Sequence, residues 1–104
     1  MNSAKRLGRT EVTAAMAGVP DWKRQRQVIS RTLEFRDFPA AIRFVNAVAR
    51  IAEKAWHHPD IDIRWNRVTL ALTTHDAGGL TSRDFELAAR LDALAAISRR
   101  PRRS

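Results

Sequence analysis

The sequence contains no cysteine. Disulfides, thiolate zinc sites and cysteine nucleophiles are therefore excluded, and the redox compartment cannot be read. No apolar run approaches the roughly 18 residues that span a bilayer. The N-terminal residues lack the apolar segment of a secretory signal, so the expected location is the cytoplasm. No G-x-S-x-G elbow occurs, and Gly78-Gly79 alone is too weak a signal for a phosphate loop. Neither a repeat nor an internal linker interrupts the 104 residues, a length that suits one domain.

What is present in excess is positive charge, +8 in all. Its placement matters more than its size. Residues 1–31 carry seven Lys/Arg and two acids, or +5. Residues 32–98 carry eight and nine, or −1, and the tail Arg99-Arg100-Pro101-Arg102-Arg103-Ser104 carries +4. A nearly neutral body with basic ends argues against a nucleic-acid-binding face on the core. The expected organisation is a flexible basic segment over 1–9, one domain over 10–98 and a disordered basic tail over 99–104.

Thr10 is expected to cap a short helix from Glu11 to Ala17, ended by Gly18 and Pro20. The β-branched and aromatic run Val28–Phe35 reads as a strand, with Arg31 breaking its apolar parity. Lys23, Arg24 and Arg26 suit a turn or the exposed part of a strand pair. Asp37 caps a helix with Pro39 in its first turn. Ala41, Val45, Val48, Ala52 and Ala55 form its apolar stripe as far as about Trp56, and Pro59 forbids continuation. Ile61, Ile63 and Trp65 alternate as a short strand, Asn66-Arg67 turns the chain, and Val68, Leu70 and Leu72 alternate again. Extending that alternation puts His75 on the Thr69/Ala71/Thr73 face. Thr81-x-x-Asp84 is a capping box for a last helix that buries Leu87, Leu91, Leu94 and Ala95 and ends near Ser98. The order α-β-β-α-β-β-α points to an α+β fold, a small antiparallel sheet with helices packed on one face.

The chain's three histidines, His57, His58 and His75, make its one chemical constellation, with Glu53 and Asp84 nearby in pattern. Imidazole titrates near neutrality, so one ring can donate to a leaving oxygen while another accepts from the opposite side of a substrate. A plainer reading stands beside this: histidines at a helix C-terminus are favoured by the helix dipole. Asp84 is fully explained by capping, Glu53 by a solvated helix face and Trp65 by a core. Zinc is disfavoured, because adjacent histidines rarely aim at one ion and no H-x-x-x-H pair occurs.

The pattern resembles the pterin-4a-carbinolamine dehydratase family. Glu53, His57-His58-Pro59, Trp65, His75 and Asp84 match that family's signature in type and spacing. Trp22, Phe35-x-Asp37-Phe38, Ala52-Glu53 and Thr74-His75-Asp76-x-Gly78-Gly79-Leu80-Thr81 agree as well, so the likeness covers about residues 7–97. Trp56 departs from it, standing where relatives are often polar or acidic, and the arginine tail lies outside it.

The resemblance implies a hydro-lyase that removes water from 4a-hydroxytetrahydropterin, giving quinonoid dihydropterin in tetrahydrobiopterin regeneration. By resemblance His57, His58 and His75 are catalytic, with His57 and His75 moving protons and His58 holding substrate. The pterin is expected against His58, Pro59, Thr74, Asp76 and Ala77, with Glu53, Trp65 and Asp84 in support. No metal and no cofactor is implied, because the pterin is the substrate. The implied partners are further copies of the chain, as a dimer or tetramer, and an aromatic amino acid hydroxylase as substrate source; neither nucleic acid nor membrane is expected. The competing reading is a non-catalytic coactivator-type module that binds a protein or nucleic acid through its sheet or its basic tail.

Overall fold

Two hairpins build the sheet. A computed structural model describes residues 4–98. In it β1 (Lys23–Gln25) and β2 (Val28–Glu34) are joined by Arg26-Gln27, and β3 (Asp60–Arg64) and β4 (Arg67–Leu72) by Trp65-Asn66. The first loop residue of each, Arg26 (φ 56°) and Trp65 (φ 53°), is left-handed, as primed hairpin turns require. Antiparallel pairing of β2 with β4 joins the hairpins into the order β1-β2-β4-β3.

The register puts Ile29 opposite Leu72 and Leu33 opposite Val68, so the apolar parity of both central strands faces one side. All four are buried, as is Leu70 between them. Helices α2 (Phe38–Ala55) and α3 (Ser82–Ser98) supply the other half of this core through Phe44, Val48, Leu87 and Leu91. Each such side chain contributes roughly 1.5–3 kcal/mol by leaving water. The carboxylate of Asp37 accepts from the Ala40 N–H at 2.9 Å, which makes it the expected cap of α2. The expected α+β architecture is therefore the observed one.

Arg31 breaks the apolar parity of β2 for a tertiary reason. Its guanidinium lies 2.5 Å from Asp92 Oδ1 on α3, and the indole N–H of Trp22 donates to the same oxygen at 2.7 Å.

Several local expectations are corrected. Helix α1 (Arg9–Met16) starts two residues early, with Gly8 rather than Thr10 at its cap. The Glu11 side chain makes the difference, accepting from the Gly8 N–H at 2.8 Å. The segment before residue 10 is tied down from Leu7, whose N–H donates to the Leu80 carbonyl at 2.8 Å and whose side chain packs on the core. The second hairpin turns at Trp65-Asn66, one residue before the expected place. There the Asn66 side-chain amide donates to the Phe35 carbonyl at 2.7 Å. Strand β4 stops at Leu72, so its alternation does not reach His75. Thr74 and Gly79 instead bridge each other across a 3-10 turn, His75–Ala77. The tail over 99–104 lies outside the described residues.

Candidate active site

The end of α2 sets the geometry. Trp56 is left-handed (φ 51°, ψ 45°), its N–H donates to the Glu53 carbonyl at 3.2 Å, and the His57 N–H donates to the Ala52 carbonyl at 3.2 Å. This is a Schellman closure, a position that usually takes Gly or Asn. The chain reverses there and Pro59 keeps it from resuming the helix. The two histidines part company: His57 is 8% exposed, while the His58 side chain is 52% exposed.

His57 meets the start of α3. Its Nε2 lies 2.6 Å from Oδ1 of Asp84, a fully buried carboxylate. The other oxygen, Oδ2, accepts from the Thr81 N–H at 2.9 Å and from the Thr74 hydroxyl at 2.8 Å. The Thr74 hydroxyl proton is thus committed, so the Thr81 hydroxyl donates to Thr74 at 2.9 Å and itself accepts from the Arg83 N–H at 3.2 Å. Asp84 is the capping residue the sequence indicates, and it is also the anchor of His57.

The Thr81 N–H and the Thr74 hydroxyl both donate to Asp84 as an ionised acceptor, so the His57 contact is best served by an Nε2–H donor. That leaves Nδ1 as the ring's acceptor, ready to take a proton, with a carboxylate behind it to stabilise the imidazolium that results. His58 is held differently. Its Nε2 lies 3.0 Å from Glu53 Oε1, and its ring packs edge-on to Trp56 with centroids 5.1 Å apart.

His57, His58, Thr74, His75 and Asp76 line one cleft of about 240 Å³. The tertiary structure thus joins both histidine segments. Trp56, Thr73 and Arg83 complete the walls, and sequence reasoning did not assign them to the site. Trp56 was signalled only by adjoining the histidine pair; Arg83 carried no signal, since it is fixed by a contact across the fold, donating to the Trp56 carbonyl at 2.5 Å. Among the other expected residues, Asp84 contacts His57 and Glu53 contacts His58, and neither lines the cleft itself. Pro59 and Ala77 flank the cleft in sequence without lining it. Trp65 sits at the β3–β4 tip and is 71% exposed, so it is neither a core aromatic nor a wall of the cleft. Among the described residues no three His, Asp or Glu side chains converge as a metal site requires.

The chain is similar to known proteins in both sequence and fold. The family model described as pterin 4 alpha carbinolamine dehydratase matches residues 5–94. A Chloroflexus aurantiacus protein named as a candidate pterin-4-alpha-carbinolamine dehydratase is 59% identical over 87 residues, covering 84% of this chain and 94% of the relative. One of the same name from Acidobacterium capsulatum is 63% identical over 79 residues, covering 76% and 86%. A solved Brucella melitensis structure, described as a transcriptional coactivator/pterin dehydratase, superimposes with a TM-score of 0.84 at 34% identity, over 88% of this chain and 99% of that one. The fold alone is shared with a pterin dehydratase-like RuBisCO assembly factor of the alpha-carboxysome, with a TM-score of 0.59 at 24% identity over 71% and 86% of the two chains. The matched span takes in both histidine segments and Asp84, and the chain belongs to the pterin 4 alpha carbinolamine dehydratase family.

Proposed function

We propose that the protein is a hydro-lyase that converts 4a-hydroxytetrahydropterin to quinonoid dihydropterin and water by histidine acid–base catalysis, without metal or cofactor. The observation that carries this is the single cleft bordered by all three histidines, with His57 anchored on buried Asp84. In the reaction the C4a–O bond breaks as the oxygen takes a proton and leaves as water. The N5 proton is lost and its electron pair forms the C4a=N5 bond. Nδ1 of His57 is suited to accept that proton, because Asp84 occupies Nε2. His75, exposed on its 3-10 turn, is placed to give a proton to the leaving oxygen. His58, steadied by Glu53, holds the substrate, with main chain at Thr74 and Asp76 beside it. The same reading makes the protein a cytoplasmic homo-oligomer fed by an aromatic amino acid hydroxylase; no described helix is long and apolar enough to cross a membrane.

The test is the decay of freshly generated 4a-hydroxytetrahydropterin, followed by absorbance with a chelator present. The wild type accelerates it, and His75→Ala lowers that acceleration by about 10²-fold or more. No acceleration over buffer overturns the reading.

A second reading is favoured by the description of the Brucella relative, which joins coactivator to dehydratase. On it the chain is a binding module. Deleting residues 99–104 separates the two: dehydration survives the deletion, whereas salt-sensitive nucleic-acid binding through the arginines does not.

A further inference from the structure

We propose that Trp56 is the aromatic wall of the substrate cleft, with its indole stacking on a planar heterocycle and setting the affinity for it. The class of ligand rests on the pterin reading above; the assignment of the wall rests on this residue's own surroundings.

Local preference does not account for a tryptophan here. Trp56 occupies the left-handed region, where a Cβ is penalised and glycine or asparagine is at ease. Burial does not account for it either, since 69% of the residue is exposed. Trp65 shares both features at the far hairpin, with φ 53° and 71% exposure, so they do not assign a role by themselves. The cleft does. Trp56 borders it together with the three histidines, and Trp65 does not.

The ring is exposed but its base is fixed. The Trp56 N–H donates to the Glu53 carbonyl, and its own carbonyl accepts from Arg83 at 2.5 Å. Arg83 therefore ties the turn to α3, the helix that carries Asp84. The edge-on contact with His58, at an interplanar angle of 80°, occupies at most one indole face. A flat bicyclic ring entering the cleft can take an offset-stacked position and remove apolar surface of both partners from water. Two of the rings that border the cleft, Trp56 and His58, are thus already packed against each other before substrate arrives.

The test uses full-length protein carrying Trp65→Phe, so that emission comes from Trp56 and from Trp22, which is only 3% exposed. Titration with 7,8-dihydropterin, which lacks the 4a hydroxyl and is not dehydrated, quenches the emission saturably. Adding Trp56→Phe removes most of that response. In turnover, Trp56→Gly and Trp56→Asn raise KM about tenfold or more, the size of one ring-stacking contact, and change kcat far less. Their melting temperatures hold or rise, because both residues suit the left-handed turn. An unchanged KM in both variants, or a fall in kcat alone, overturns the assignment. Saturable quenching without dehydration sinks the enzymatic reading and leaves Trp56 as a ring-binding wall. Dehydration with a KM indifferent to Trp56 does the reverse.

Discussion

Asp84 and His57 stand 27 residues apart in the chain and 2.6 Å apart in the fold. One carboxylate caps α3 through the Thr81 N–H, receives the Thr74 hydroxyl and holds the buried imidazole. The start of a helix, the end of a strand and the end of another helix are thereby fixed to one another at the cleft.

Asp84→Asn tests this double role. The amide keeps the shape but turns an NH₂ toward a donor. Turnover is expected to fall by about 10²-fold and stability by about 1–3 kcal/mol. Steady-state rates and denaturant melts on the same sample check both. A melt that drops while kcat holds would reduce Asp84 to a cap.

The Glu53–His58 pair is solvent-exposed, with side chains 69% and 52% accessible. Glu53→Gln is therefore expected to change stability by less than about 1 kcal/mol. His58→Ala is expected to raise KM more than Glu53→Gln does, because the ring rather than its partner borders the cleft. Paired kinetic runs decide it: a kcat loss for His58→Ala as large as that for His57→Ala would move His58 into the proton-transfer set.

Gly79 tolerates no Cβ without a rearrangement. An added methyl would overlap the Gln27 side-chain amide, whose oxygen accepts from the Leu80 N–H at 2.9 Å. Gly79→Ala is expected to displace Gln27, cost about 1–2 kcal/mol through the lost hydrogen bond and loosen the 3-10 turn that carries His75. Thermal melts and hydrogen exchange at Leu80 report it. Unchanged protection of that amide would show that Gln27 adjusts freely.

Asp92 lies away from the cleft and receives both Arg31 and Trp22. Asp92→Ala leaves a largely buried guanidinium and an indole N–H without that acceptor. We expect a loss of about 2–4 kcal/mol with kcat per folded molecule unchanged, measured by urea melts alongside activity below the transition. A drop in kcat would reveal coupling between this clasp and the site.

Much of the fold was legible because it is periodic. Repeats of three and four residues mark the buried face of α2, and alternation marks Val68, Leu70 and Leu72, whatever the chain does elsewhere. Caps at Asp37 and Thr81 are equally local. Arg31 was visible only as an anomaly, since its partner Asp92 is 61 residues away. Alternation puts His75 on a strand face because it carries no mark of where a strand stops; β4 ends at Leu72 and the Thr74–Gly79 bridge follows.

The sequence by itself determined the element order, the two core-facing helices, their caps at Asp37 and Thr81 and the histidine segments with their family, because each depends on residue type at short spacing. Only the tertiary structure decided that Asp84 holds His57, that Trp65 stands apart at a hairpin tip and that Trp56 and Arg83 wall the cleft. These are contacts between side chains distant in sequence. They depend on how α2, α3 and the end of β4 converge, which no local pattern records.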